Sequence, residues 1–145
     1  GTVDVFPYRK LTAIPNIDAS EFPDLVPIIS LVASISNGTT VIYNAERLRY
    51  KESDRLASTC HVLKALGANI TETEDKLIIV GTKKLHGAYE GDGYGDHRII
   101  MMLAVSSLVT AGTVKIHEAS AASKSFPNFF EVLHKLGLDG NIELV

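Results

Sequence analysis

Val62-Leu63-Lys64-Ala65-Leu66-Gly67 returns 70 positions later as Val132-Leu133-His134-Lys135-Leu136-Gly137. Gly38-Thr39-Thr40-Val41 is likewise echoed 74 positions later by Gly112-Thr113-Val114. The first string has apolar residues at helical spacing and closes on glycine, which is how a helix ends. The second is glycine followed by β-branched residues, which is how a strand begins. The two offsets nearly agree, so they predict one unit of about 70 residues present twice, a period outside the common solenoid repeats. A mixed α/β fold follows, built from a duplicated β-α-β-α-β unit with two βαβ-like crossovers.

The stretches between these echoes fill in the elements. Residues 23–36 are apolar nearly all round, which predicts a buried helix. A strand is expected over 39–43. The next helix is expected to be capped by Ser53, to carry Leu56, Cys60, Leu63 and Leu66, and to stop at Gly67. Two short strands follow near 69–73 and 76–80, turning at Glu74-Asp75. The second copy predicts a helix over 96–111, a strand over 113–117, a helix over 125–137 and a closing strand over 141–145. Phe126, Phe129, Phe130, Leu133 and Leu136 form a stripe best read as core. Gly91-Asp92-Gly93-Tyr94-Gly95-Asp96 is glycine-rich but lacks the G-x-G-x-x-G spacing, so a turn is expected rather than a dinucleotide site.

Composition removes several function classes. The 145 residues carry 14 Lys+Arg, 17 Asp+Glu and a formal charge of −3. That balance lacks the electrostatic footprint of a nucleic-acid binder. One cysteine, Cys60, supports neither an internal disulfide nor a zinc ribbon, and its place on an apolar helix face predicts an inert core thiol. The longest apolar run is the seven residues from Ile99 to Val105, well short of the ~18 needed to span a bilayer. A soluble, cytoplasmic protein with no membrane partner is expected. The start at Gly1-Thr2-Val3 suggests a piece of a longer chain. His61, His86, His97, His117 and His134 have no metal-ligand spacing and no H-E-x-x-H occurs, so no metal site is expected. Calcium binding through Asp92 and Asp96 is a weak alternative.

Charged residues recur where helices begin. Asp24 opens the first predicted helix and Arg98, 74 positions later, opens the third. Lys51 precedes the second helix and Lys124 the fourth, while Arg55 lies one turn into the second. Free N–H groups and the positive dipole end make helix N-termini anion sites. A cation such as Arg98 is disfavoured there unless an anion joins it. Each charge taken singly reads most simply as a solvated helix-end residue. Together, Lys51, Arg55, Arg98 and Lys124 with the acids Asp24 and Glu52 suit a substrate bearing phosphate or carboxylate, with two carboxyls available for proton transfer.

Four strings in order carry a family resemblance: Pro23-Asp24-Leu25-Val26-Pro27, Arg49-Tyr50-Lys51-Glu52-Ser53-Asp54-Arg55-Leu56, Asp96-His97-Arg98 and Lys124-Ser125-Phe126-Pro127. Together they resemble the C-terminal part of the 5-enolpyruvylshikimate-3-phosphate (EPSP) synthase family, the 3-phosphoshikimate 1-carboxyvinyltransferases. The Lys-Glu-Ser-Asp-Arg-Leu string is the specific one, and the resemblance runs from about Ile17 to Leu136. It implies an inside-out α/β fold of the enolpyruvyl transferase type. The chain would be a partial C-terminal domain over 1–145, with two β-α-β-α-β-β repeats (about 17–81 and about 88–145) of a three-repeat domain. It implies transfer of the enolpyruvyl group of phosphoenolpyruvate to the 5-hydroxyl of shikimate 3-phosphate, by addition and elimination, without cofactor or metal. The missing N-terminal domain would be a partner in cis, and the fragment alone would be inactive.

The resemblance also implies roles. Asp24 would take the proton of the 5-hydroxyl, and Glu52 would protonate the methylene carbon of phosphoenolpyruvate. Lys51 would contact shikimate 3-phosphate, and Arg55, Arg98 and Lys124 would bind the phosphate and carboxylate of phosphoenolpyruvate. His97 is a further candidate, bonded to Glu52 or to the intermediate. Arg47 stands where many members carry an asparagine that touches shikimate. Two other readings remain: a sister enzyme that uses UDP-N-acetylglucosamine as acceptor, and a non-catalytic phosphate- or phosphoenolpyruvate-binding module. The paired acids argue against the binding module, which has little use for them.

Overall fold

The computed structural model describes residues 1–2, 10–137 and 142–144, the last three as backbone. The chain runs β1 (Asn16–Asp18), α1 (Val26–Ser34), β2 (Thr39–Tyr43), α2 (Arg55–Ala65), β3 (Asn69–Glu72), β4 (Leu77–Val80), β5 (Tyr89–Asp92), α3 (His97–Ser106), β6 (Val114–His117), α4 (Phe129–Lys135) and β7 (Ile142–Leu144). Tight 3₁₀ turns precede α1 at Pro23–Leu25, α2 at Glu46–Tyr50 and α4 at Ala119–Lys124.

Two sheets form. The first has the order β1-β2-β4-β3, with β1 parallel to β2 and β4 antiparallel to both β2 and β3. The second is β5-β6-β7, parallel throughout. β3 therefore runs parallel to β2 but one place away, because β4 folds back between them. Among the described residues the second sheet has no counterpart of β4, and β7 lies directly beside β6. A single parallel bridge precedes each β-α-β crossover, Thr12 with Asn37 and Leu85 with Thr110.

Helices α1, α2 and α3 pack against one another between the sheets, and the core gathers there. Leu31, Leu56, Leu63, Ile99, Ile100 and Leu103 are buried with Ile42, Ile79, Val114 and Ile116 from the strands. Cys60 belongs to this core, and burial pushes its thiol pKa up. Buried serines cost little here because their hydroxyls donate back to carbonyls one turn earlier, Ser30 to Val26 at 2.8 Å and Ser34 to Ser30 at 2.8 Å. The end of α2 is a Schellman closure: Ala68 N–H donates to Leu63 O (2.8 Å) and Gly67 N–H to Lys64 O (2.9 Å), with Gly67 at φ +88°.

Several sequence expectations need correction. α1 is the buried helix expected, with Val26, Pro27, Ser30, Leu31, Ala33 and Ser34 buried and Ile28 and Ile29 half-buried, but Val32 remains 45% exposed. Ser53 does not cap α2. Asp54 does, accepting from Ala57 N–H at 3.0 Å, because the Ser53 hydroxyl is committed to Asp96. Arg55 is consequently the first residue of α2 rather than one turn inside it. α3 stops at Ser106, where Ser106 and Ser107 hydroxyls bond back to Leu103 and Ala104 carbonyls. α4 starts at Phe129, since Pro127 biases its predecessor away from helix. The aromatic stripe is only partly core: Leu133 is buried, Phe129 and Phe130 are half-buried, and Leu136 is 64% exposed. Gly91 and Asp92, read as turn, belong to β5, and β1 was not anticipated.

Candidate functional site

The N-terminal ends of α1, α2 and α3 come together, and charge gathers where they meet. Asp24 sits in the 3₁₀ turn ahead of α1, Arg55 opens α2, and Asp96 caps α3 through Arg98 N–H at 2.9 Å. Arg55 is the hub. Its Nη1 donates to Asp24 Oδ1 at 2.7 Å, its Nη2 to Glu52 Oε2 at 2.6 Å, and its Nε to Asp96 Oδ2 at 2.7 Å. Its side chain is 1% exposed and that of Asp96 is 0% exposed, whereas Asp24 is 47% and Glu52 41% exposed. A buried guanidinium is tolerable only when its donors are paired, and here carboxylates from three segments do so.

Lys51 and Arg98 complete the group. Lys51 Nζ lies 3.5 Å from Asp24 Oδ1, and Arg98 Nη2 lies 3.4 Å from Asp24 Oδ2. Lys124 does not reach a carboxylate; its Nζ donates to Gly95 O at 3.0 Å, one residue before the α3 cap. His97 Nδ1 stands 3.8 Å from Glu52 Oε1, too far for a hydrogen bond, and among the described residues it is buried without a hydrogen-bond partner. Arg98 Nε is also buried without one. Arg47 is exposed in the turn before Lys51.

Burial raises the Asp24 carboxyl pKa, but the Arg55 hydrogen bond and the charges of Arg55, Lys51 and Arg98 outweigh it and hold it below the ordinary range. Asp96 follows the same pattern: burial opposes ionisation, while Arg55, the Arg98 N–H and Ser53 more than reverse it. Both are anions at neutral pH. The exposed pair Asp24 and Glu52 faces outward with Lys51 and Arg98, while Asp96 lies behind Arg55. Ion-paired acids that a ligand can reach, backed by fixed cations, can bind an anion and exchange protons.

Next to this group, a hollow of about 190 Å³ is lined by Asp24, Pro27, Arg98, Met102 and Phe129 among others. A second hollow, of about 670 Å³, is an apolar groove along α1 and β1 and takes in none of these cations. The loop before α3 is tightly wound, with Tyr94 at φ +59° and Gly95 at φ +64°. Tyr94 N–H donates to Asp92 Oδ1 (2.8 Å) and its hydroxyl meets His61 Nδ1. Asp92 thus serves the loop and Asp96 the arginine, so the two do not converge as calcium ligands. Among the described residues, no group of three or more His, Cys, Asp or Glu could hold a metal ion.

Of the residues singled out from sequence, Asp24, Lys51, Glu52, Arg55 and Arg98 form one connected group. Lys124 borders it through backbone, and His97 lies within it unbonded. Sequence reasoning missed Asp96 as a partner of Arg55, and Ser53 as its support. No sequence signal separates the two: Asp54 and Asp96 each stand immediately before a helix, and only the structure shows the first exposed and the second buried.

Comparison with known proteins places the chain in a family. Residues 3–133 match the family described as EPSP synthase (3-phosphoshikimate 1-carboxyvinyltransferase). A 3-phosphoshikimate 1-carboxyvinyltransferase from Clostridium acetobutylicum is 50% identical over 123 residues, covering 85% of this chain and 28% of the relative. One from Methanococcus aeolicus is 43% identical over 137 residues, covering 94% of this chain and 31% of the relative. An EPSP synthase structure from Acinetobacter baumannii superposes with a TM-score of 0.74 at 29% identity, over 90% of this chain and 31% of that one. The chain thus spans less than a third of the length of these relatives.

Proposed function

The chain belongs to the EPSP synthase family, and we propose that the protein carrying it transfers the enolpyruvyl group of phosphoenolpyruvate to the 5-hydroxyl of shikimate 3-phosphate, releasing phosphate. The observation that carries this reading is the Asp24–Arg55–Glu52 bridge, two reachable acids on one buried cation, flanked by Lys51 and Arg98. The wider reading, two repeats of a three-repeat C-terminal domain facing an N-terminal domain in cis, in a cytoplasmic enzyme, belongs to the same proposal.

In this mechanism Asp24, held ionised, accepts the proton of the attacking 5-hydroxyl. Arg55, Arg98 and Lys124 take the phosphate and carboxylate of phosphoenolpyruvate, and Lys51 takes the 3-phosphate of the acceptor. An anionic substrate competes with Glu52 for Arg55 Nη2, releasing that 41% exposed carboxylate to take up a proton from solvent and deliver it to the methylene carbon. The new C–O bond and the new C–H bond give a tetrahedral intermediate. Phosphate then leaves with the proton that Asp24 had taken, a methyl proton returns to Glu52, and the enol ether forms with both carboxyls restored. Dense positive charge aligns two anions that would otherwise repel, which supplies much of the rate through orientation.

The test is phosphate release by the full-length protein, given phosphoenolpyruvate with either shikimate 3-phosphate or UDP-N-acetylglucosamine, alongside Glu52→Gln. Release only with shikimate 3-phosphate, lost in Glu52→Gln, is the expected result. Release only with the UDP-sugar moves the protein to the sister enzyme, and no release with either leaves a binding module. The 145-residue chain alone is expected to give no product.

A further inference from the structure

Asp96 uses its acceptor capacity fully and in one place. Oδ2 accepts from Arg55 Nε at 2.7 Å and from the Ser53 hydroxyl at 3.0 Å; Oδ1 accepts from Arg98 N–H at 2.9 Å and from Arg55 Nη2 at 3.3 Å. Capping α3 needs only the Arg98 bond, which an asparagine or serine would supply equally well. The remaining three bonds serve Arg55, two of them directly and one by fixing the carboxylate plane.

We propose that Asp96 is the positioning residue of the site: it grips the rear edge of the Arg55 guanidinium so that Nη1 and Nη2 stay aimed at Asp24 and Glu52. The proposal rests on the reading of the cleft given above. Its basis is a division of labour among three carboxylates. Asp24 and Glu52 are each more than 40% exposed and can yield to an incoming anion. Asp96 is wholly buried and built into a helix cap, so it cannot. A ligand that displaces the front pair therefore meets an arginine that does not swing. Without the rear grip, the guanidinium could rotate to follow whichever front carboxylate remained.

The test uses the full-length protein with Asp96→Asn and Asp96→Ser, both of which keep an α3 cap while losing the charge-assisted grip. Arginine labelled at Nε reports directly, the Arg55 signal being assigned by its loss in Arg55→Lys. In the wild type this Nε–H is expected to be downfield and protected from exchange, and in both Asp96 variants to become averaged. For the variants, kcat/KM for phosphoenolpyruvate is expected to fall about 100-fold, shared between KM and kcat, the size of an ångström-scale misplacement. KM for shikimate 3-phosphate should move less than about threefold on the same argument. Asp96→Glu, which restores the charge, should recover part of the loss.

An unchanged Arg55 Nε–H in a folded Asp96→Asn protein overturns the proposal, as does kcat/KM within a few-fold of wild type. Should both variants unfold, the wild-type signal decides: protection supports the grip and averaging refutes it. If the wild type transfers no enolpyruvyl group, the functional reading fails alone, and the Nε–H comparison still decides whether Asp96 holds Arg55.

Discussion

Arg55 Nη1 lies 2.7 Å from Asp24 Oδ1, although the two residues stand 31 positions apart, one opening α2 and the other in the turn ahead of α1. The contact joins the start of α1 to the start of α2 through a side chain that is 1% exposed. Helix packing and charge pairing are thus one problem at this end of the molecule.

Replacing Arg55 by alanine strands the buried Asp96 and removes the bridge between Asp24 and Glu52. Stability is expected to fall by about 3–5 kcal/mol, the range for breaking one side of a buried ion pair. Urea unfolding of the chain and of Arg55→Ala reads this directly. Arg55→Lys should recover only part, because an ammonium cannot replace the fork that meets three carboxylates.

Acid should weaken the fold through Asp24 and Asp96. Their folded pKa values lie below the ordinary carboxylate value, so the folded state favours their ionised forms. The resulting stability is complete above the unfolded pKa of about 3.9 and is lost as pH falls through the depressed folded values. Melting temperature followed from pH 7 downward should stay level with respect to these groups and then drop below about pH 4. In Asp96→Asn the acid drop should be shallower.

Gly67 closes α2 in the left-handed region, at φ +88°. Gly67→Ala is expected to cost about 1–2 kcal/mol, since any L side chain is strained there. The added methyl meets only ordinary contacts, the nearest at 3.4 Å from Gly87 N, so the loss measured by urea unfolding should report conformational strain rather than a clash.

Cys60 should be silent to a thiol reagent in the folded chain and react at once in urea. It is buried in the core and burial raises its thiol pKa, so little thiolate is present and little of it is reachable. Rapid modification of the native protein by a coloured disulfide reagent would contradict the packing of α2.

The repeating strings exposed most of the architecture because helix stops and strand starts are local signals. The strand Thr39–Tyr43 and the glycine stop at Gly67 are written in a few adjacent residues. β1 and β5 were not legible: Asn16–Asp18 is too short to show alternation, and glycine and aspartate in Tyr89–Asp92 read as turn. Five site residues were legible because they cluster at helix starts within recognisable strings. Asp96 was not, because a capping aspartate and a buried ion-pair partner look identical until the neighbouring helix is placed. The Ser53 hydroxyl failed for the same reason, its partner lying 43 positions away.

Asp24, in the turn ahead of α1, and Arg98, in the first turn of α3, stand 74 positions apart and touch, Oδ2 to Nη2 at 3.4 Å. Two aspartates or two arginines at this meeting point would push the helix ends apart. The contact between these helix ends therefore depends on opposite charge at the two positions. Exchanging the two charges should be tolerated better than giving both positions the same sign, which should open the seam between α1 and α3.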